Sequence, residues 1–227
     1  FKDFLNENST NDCIENFFKL LSETQDDYIC RKPQRENGTL PTFKKSLMPT
    51  HVIYKEVRHH HVIDNILNEN KELKFIFLIR NPVEVMNSWV NAPREFNPSW
   101  NINDQIISGK LKNEGKKENF FGLKAWVETT KLFESLVNSY SHRVLLVKYS
   151  QLIHHVIDTV ENIYKFSGLQ ITDSTYTFLN ESLNREIKNT YSVFRGGKKS
   201  EITLNKKLVR NINSYVNDFK LSHYLES

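Results

Sequence analysis

The chain has 227 residues, of which 38% are hydrophobic and 12% aromatic, and its formal net charge is +4. This length suits one domain, and the share of apolar residues excludes a disordered chain. The excess of positive charge is too small to indicate nucleic-acid binding. No run of 18 apolar residues exists, so we expect no membrane contact in this segment. Cys13 and Cys30 form no CxxC pair and imply no disulfide framework.

The first part of the chain is predicted to begin with a helix and to continue into strands. Apolar spacing predicts a helix over residues 1–27, whereas Pro and Gly break residues 28–50 into a loop. HVIYKEV at 51–57 is typical of a short strand, and residues 62–70 of a short helix. LKFIFLI at 73–79 is a continuous apolar run, which indicates a strand buried on both faces of a parallel sheet.

A further helix is predicted to start directly after this apolar strand. Asn81 can cap it, Pro82 suits its first position, and Glu84 can close a capping box. We expect the helix to run to about Val90. Residues 91–118 carry many loop signals and are predicted to form a lid or an acceptor-binding loop.

The C-terminal half is predicted to hold one more strand and four more helices. The strand is RVLLVKY at 143–149, and the helices cover residues 119–139, 151–167, 173–187 and 203–218. Residues 188–200 are predicted to form a loop. Because strands alternate with helices, the sequence predicts an α/β fold with a mostly parallel sheet, as a single domain over 1–227.

Arg80 and Ser88 form the most informative pattern in the chain. Arg80 ends a buried strand, and a capped helix N-terminus follows at once. Positions 81, 84, 85 and 88 share one helical face, so Ser88 lies on the face marked by the cap. Free backbone N–H groups, the helix dipole and a guanidinium together favour a phosphate there. The alternative is that Arg80 pairs with a local carboxylate and that Ser88 is an ordinary surface residue.

A strand followed by Arg80, Asn81 and Pro82, with Ser88 eight residues after the arginine, resembles the 3′-phosphate motif of the PAPS-dependent sulfotransferases. PAPS is adenosine 3′-phosphate-5′-phosphosulfate, and in that family this Arg and this Ser contact the 3′-phosphate. The resemblance covers roughly residues 50–220 and leans towards the carbohydrate and bacterial branches. It implies a P-loop-like parallel sheet flanked by helices.

Three further segments resemble the family in order and approximate spacing. HVIYKEVR resembles the strand whose lysine, here Lys55, lies near the sulfuryl group. In RVLLVKYSQL, Tyr149 matches a tyrosine near the adenine, although Ser150 and Gln151 replace the usual Glu-Asp pair. The last segment resembles the basic glycine-containing loop that closes on the 3′-phosphate, and it consists of Phe194, Arg195, Gly196, Gly197 and Lys198.

The resemblance implies in-line transfer of a sulfuryl group from PAPS to a hydroxyl or amine, with adenosine 3′,5′-bisphosphate as product and no metal. Lys55 is the predicted cation at the transferring group. Glu56, or one of the histidines from His59 to His61, is the predicted general base. The acceptor could be a glycan, a small metabolite or a protein tyrosine, and we expect no nucleic-acid partner.

Family members open with a strand, a Pro-Lys/Arg-Ser-Gly-Thr loop for the 5′-phosphosulfate, and a helix, and this pattern is not found in the sequence. We therefore expect that the N-terminal strand, loop and helix are missing from this chain. The alternatives are a non-catalytic nucleotide-binding module and another P-loop-like transferase, although a Walker A sequence is also not found. Unpaired cysteines predict a cytoplasmic protein. An N-terminal anchor lost with the opening segment would place the protein in the Golgi lumen instead.

Overall fold

The computed structural model describes residues 5–38, 50–184 and 201–225. The chain divides into two compact units. Unit 1 comprises Phe1–Glu56, Val62–Lys71 and Gly168–Lys199, and unit 2 comprises Val57–His61, Glu72–Ser167 and Ser200–Ser227. None of the helices in these described ranges has the length and apolar character needed to span a bilayer.

The described residues form helices and two strands. They are α1 (Asn11–Glu23), α2 (Lys32–Glu36), α3 (Ile63–Glu69), β1 (Phe75–Ile79), α4 (Pro82–Val90), α5 (Ile102–Ser108), α6 (Lys110–Asn113), α7 (Leu123–Ser139), β2 (Val144–Lys148), α8 (Tyr149–His154), α9 (Val156–Ser167), α10 (Asp173–Asn184) and α11 (Lys206–Asp218). Single 3-10 turns occur at His60–Val62 and Ser222–Tyr224.

Unit 1 is built on the contact between α1 and α3. Helix α1 begins at Asn11 because the Thr10 side chain accepts a hydrogen bond from the Cys13 N–H. Ile14 of α1 is fully buried, in agreement with the apolar face seen in the sequence. Asn70, at the end of α3, donates to the Asn11 side chain at 2.8 Å. Apolar packing and one buried polar contact thus hold the two helices together.

The predicted strand at 51–57 is wrong, because these residues have no regular secondary structure. Ile53 is 83% exposed and Val57 is 60% exposed. A strand needs a neighbour for its backbone N–H and C=O groups, and β1 and β2 pair only with each other among the described residues. β-Branched composition alone was therefore not sufficient to make this segment a strand.

Unit 2 contains the parallel sheet that the sequence predicted. β1 and β2 pair in register from Phe75 opposite Val144 to Ile79 opposite Lys148. Helices α4 to α7 lie between the two strands in the chain. Helix α7 packs on β2, and Phe133 of α7 stacks on Phe77 of β1 at 3.9 Å. The two strands therefore end at the same edge of the sheet, where functional side chains of parallel sheets collect.

Strand β1 is buried on one face in the described structure. Phe77 and Ile79 are buried, whereas Ile76 and Leu78 are 41% and 48% exposed. The continuous apolar run had predicted burial on both faces, and this part of the prediction is wrong for the described residues. The alternation follows from the pleat, which turns successive side chains to opposite faces of the sheet.

The segment 91–118 contains more regular structure than the sequence predicted, because α5 and α6 lie within it. Its end is fixed by the Asn113 side chain, which donates to the Phe121 carbonyl and accepts from the Phe121 N–H, both at 2.9 Å. Gly109 has a φ of +58°, and a side chain there would meet the Phe121 carbonyl oxygen. Close backbone approach thus shapes this segment, and its role as a lid or acceptor loop remains a prediction.

The remaining helices are confirmed with shifted boundaries. The predicted helix at 151–167 is two helices, α8 and α9, separated at His155. The last helix begins at Lys206, because the Asn205 side chain caps it. The predicted loop at 188–200 lies outside the described residues.

Candidate anion site at the carboxyl end of the sheet

The junction between β1 and α4 forms as the sequence predicted. The Asn81 side chain accepts from the Val83 N–H at 2.9 Å and so caps α4, while Pro82 occupies the first helical position. The Asn81 amide also donates to the Leu225 carbonyl at 2.7 Å. This residue therefore fixes the start of the helix and connects it to the C-terminal turn.

Arg80 is held at both its side chain and its backbone. Its Nε donates to the Glu84 carboxylate at 2.7 Å, and its guanidinium lies 4.7 Å from the centre of the Tyr149 ring. The Arg80 carbonyl accepts from the Trp126 indole N–H at 3.1 Å. The predicted capping role of Glu84 gives way to this ion pair, so the local carboxylate that the sequence offered as an alternative partner is present.

Ser88 lies on the same face of α4 as Glu84 and is exposed. Residues four apart on a helix have Cβ atoms about 5–6 Å apart. Since Glu84 contacts the Arg80 guanidinium, the serine hydroxyl lies one helical turn beyond that ion pair. The helix geometry thus places Ser88 on the face of α4 that carries Glu84, the ion-pair partner of Arg80, and a shared role of Arg80 and Ser88 stays a prediction.

Tyr149 reaches this site through the register of the sheet. Ile79 lies opposite Lys148, so the residues that follow them, Arg80 and Tyr149, leave the two parallel strands side by side. This placement explains the contact between the tyrosine ring and the guanidinium. A contact between Tyr149 and an adenine remains a prediction.

Asn87 is a buried polar residue of this region that the sequence did not single out. It is 3% exposed, and its amide donates to the Glu201 carbonyl at 2.9 Å. Its side-chain oxygen accepts from the Thr203 N–H at 2.8 Å and from the Thr203 hydroxyl at 3.0 Å. The sequence signal for this role of Asn87 is its position next to Met86, on the apolar side of α4. Asn87 thus ties the chain before α11 to the helix that carries Ser88.

Asn87→Ala is expected to lower the free energy of unfolding by about 2 kcal/mol, because it removes the buried amide that bonds the Glu201 carbonyl and the N–H and hydroxyl of Thr203. Urea unfolding followed by circular dichroism measures this change. Asn103→Ala, at an exposed position of α5, is the control and should change stability by less than about 0.5 kcal/mol. Equal effects of the two variants would contradict the role given to Asn87.

Comparisons with known proteins decide the family. The model of the sulfotransferase domain family matches residues 10–220. The chain belongs to the sulfotransferase family. No curated protein matches it in sequence. Among solved structures, it is similar to mouse sulfotransferase SULT7A1 complexed with PAP, with a TM-score of 0.51 and 15% identity over 74% of this chain and 66% of that chain. At this identity the likeness concerns the fold, and this chain spans about two thirds of the mouse protein.

The family match covers both β1 and α4. The remaining predicted 3′-phosphate ligands are Arg195, Gly196, Gly197 and Lys198, and they lie outside the described residues. Their role therefore stays a prediction.

The predicted catalytic residues of this sulfotransferase-family chain lie in different units. Lys55 and Glu56 belong to unit 1, whereas His59 belongs to unit 2. Lys55 is exposed, and the Glu56 carboxylate accepts from the Tyr54 hydroxyl at 2.9 Å. Partial burial, together with the hydrogen bond to Glu56 and its negative charge, raises the pKa of Tyr54 to about 12. Glu56 is thus already engaged with a phenol that stays neutral at physiological pH.

The three histidines differ in their surroundings. His59 has a left-handed backbone with a φ of 54°, and its ring lies 5.8 Å from that of His61. His60 packs edge-on against Phe120 and Phe133, at 4.7 and 5.4 Å, which is a packing role. The described ranges contain no group of three or more metal-ligating side chains. The general base remains a prediction.

The C-terminal turn lies at the same edge of the unit 2 sheet as the anion site. Lys148, the last residue of β2, donates to the His223 carbonyl at 3.0 Å. Glu134 of α7 contacts the His223 ring at 3.0 Å and accepts from the Tyr224 hydroxyl at 3.2 Å. Burial and the charge and hydrogen bond of Glu134 raise the pKa of Tyr224. The C-terminal turn therefore lies at the sheet edge where Arg80 follows β1.

Tyr224→Phe is expected to make stability less sensitive to alkali. Below pH 10 the phenol is neutral in both the folded and the unfolded state. As pH rises above 10, the unfolded chain loses the proton first, so the free energy of unfolding of the wild type falls. Urea midpoints between pH 8 and 11 should fall more steeply for the wild type than for Tyr224→Phe. Parallel curves would contradict the burial of the phenol beside Glu134.

Proposed function

We propose that this chain is a PAPS-dependent sulfotransferase whose Arg80 and Ser88 bind the 3′-phosphate of the nucleotide. What supports the proposal is that Arg80 follows β1 directly, that a capped helix begins beside it, and that Ser88 lies on the helix face of Glu84, the ion-pair partner of Arg80. Membership of the sulfotransferase family supports the same activity.

The chemistry of the site suits a phosphate dianion. A guanidinium carries five N–H donors, and the bond from Arg80 to Glu84 engages Nε. The nitrogens at the end of the guanidinium have the geometry for a bidentate phosphate contact. The Ser88 hydroxyl supplies a further donor on the same helical face, and the dipole of α4 favours negative charge at its N-terminus.

In the proposed reaction, a bond forms between the acceptor oxygen or nitrogen and sulfur, and the bond from sulfur to the phosphate oxygen breaks. Adenosine 3′,5′-bisphosphate leaves with that electron pair, and the acceptor proton passes to a general base. Lys55 is the proposed cation for the leaving charge, and Glu56 or His59 is the proposed base. The basic loop from Arg195 to Lys198 completes the proposed 3′-phosphate site, and Tyr149 lies beside the adenine. The reaction requires no metal.

The proposed acceptor is a hydroxyl or amine of a glycan or small metabolite, met by residues 91–118. The position of this segment in the chain supports its part in the acceptor site, because it joins α4, which carries Ser88, to α7, which contacts Arg80 through Trp126. We propose a cytoplasmic location, on the basis of two free cysteines.

Transfer of radiolabelled sulfate from PAPS tests this function. The chain is incubated with labelled PAPS and, separately, a simple phenol, an amino-sugar oligosaccharide and a tyrosine peptide. We expect label on one acceptor class, with equal formation of adenosine 3′,5′-bisphosphate and loss of both products in Arg80→Ala. Tight binding of the bisphosphate without transfer to any class would instead support a non-catalytic nucleotide-binding module.

A further inference from the structure

We propose that Glu84 is a positioning residue that orients the Arg80 guanidinium for the 3′-phosphate. This inference rests on the proposed function, because it assumes that Arg80 is a phosphate ligand. It assigns a task to an acidic side chain that, on charge alone, opposes the binding of an anion at this site.

The ion pair is short and partly shielded from solvent. Glu84 Oε2 lies 2.7 Å from Arg80 Nε, and the two side chains are 16% and 23% exposed. Both groups are charged, which shortens and strengthens the hydrogen bond between them. Shielding from water reduces the screening that makes fully exposed ion pairs weak. The pair can therefore hold one orientation of the arginine side chain.

Two further contacts restrict the freedom of Arg80. The Tyr149 ring, 4.7 Å from the guanidinium carbon, limits how the plane of the group can tilt. The Trp126 indole N–H fixes the Arg80 carbonyl, and Trp126 itself packs edge-on against Tyr224. Glu84 binds Nε of the guanidinium, whereas a bidentate phosphate contact uses the two terminal nitrogens.

Orientation and charge make opposite predictions for the removal of Glu84. An arginine that is already ordered loses less conformational entropy when the phosphate binds. Removing the carboxylate would disorder the guanidinium and weaken binding. If the carboxylate acted only through repulsion of the phosphate, its removal would tighten binding. The sign of the change therefore separates the two roles.

The experiment compares adenosine 3′,5′-bisphosphate with adenosine 5′-monophosphate by calorimetry for the wild type, Glu84→Ala and Glu84→Gln. We expect Glu84→Ala to weaken binding of the bisphosphate about tenfold and binding of the monophosphate less than twofold. Glu84→Gln keeps an oxygen that can accept from Nε, and it should bind the bisphosphate within about threefold of the wild type. Thermal melts check that both variants fold.

Glu128→Ala is the matched control, because Lys124 and Glu128 form an i,i+4 ion pair on α7 at 3.8 Å, in an exposed position. It should leave both affinities unchanged. Bisphosphate affinity in Glu84→Ala that equals or exceeds that of the wild type would overturn the inference, as would an equal loss for both nucleotides. If the wild type itself shows no preference for the bisphosphate, the proposed function fails.

Discussion

Arg80→Ala is expected to weaken the binding of adenosine 3′,5′-bisphosphate by about 100-fold or more. The variant removes charge-assisted hydrogen bonds to the 3′-phosphate, which contribute about 1.5–3 kcal/mol each. Because about 1.4 kcal/mol corresponds to a factor of ten in affinity, two such bonds account for the predicted loss. Isothermal titration calorimetry on the folded variant measures it.

Two further variants define the chemistry behind this loss. Arg80→Lys keeps the charge but not the planar fork, and we expect an intermediate affinity. Arg210→Ala removes an exposed arginine of α11 and should change affinity less than twofold. A folded Arg80→Ala variant that binds the bisphosphate as tightly as Arg210→Ala would contradict the assignment of the phosphate site.

Gly109→Ala is expected to destabilise the chain by about 3 kcal/mol or more. A Cβ at this position would lie 2.1 Å from the Phe121 carbonyl oxygen, and the backbone φ is +58°. Because the obstructing atom belongs to the backbone, no side-chain rotation can relieve the clash. For a chain of this size, each kcal/mol lowers Tm by about 2–4 °C, so a fall of about 6–12 °C or more should appear in a thermal melt.

Gly115→Ala is the matched control in the same segment. Its φ is +70°, but no atom lies within 4 Å of the added Cβ. Only the cost of a left-handed backbone remains, at about 1 kcal/mol, so Tm should fall by about 2–4 °C. If the two variants lose the same Tm, the close approach of Gly109 to Phe121 does not shape this segment.

The parts of the structure that could be predicted are those fixed by neighbours in sequence. Asn81 and Pro82 specify the start of α4 by capping and by a preset φ, and the structure confirms both. The apolar runs that became β1 and β2 were recognisable because parallel strands favour such residues. The placement of Ser88 on the same face as Glu84 then follows from helix geometry alone.

The parts that could not be predicted depend on contacts between residues far apart in the chain. Asn87 bonds Thr203, 116 residues away, and Asn81 bonds Leu225, 144 residues away. No periodicity encodes such pairs. The segment 51–57 failed as a strand for a related reason, since strand formation depends on a pairing partner as well as on composition.

From the sequence, an ion pair with a local carboxylate and the binding of an anion are alternative roles for Arg80. The bond to Glu84 engages Nε of Arg80, whereas a bidentate phosphate contact uses the terminal nitrogens. The ion pair and the proposed phosphate site are therefore compatible, and the first can prepare the second.

The most direct test of the central claim is a titration of the wild-type chain with adenosine 3′,5′-bisphosphate and, in parallel, with adenosine 5′-diphosphate. The two nucleotides carry the same number of phosphates and differ in where the second one is attached. We predict at least about tenfold tighter binding of the 3′,5′-bisphosphate, from contacts of Arg80 and Ser88 with the 3′-phosphate. Equal affinity for the two nucleotides in a folded chain would contradict the claim that these residues form a 3′-phosphate site.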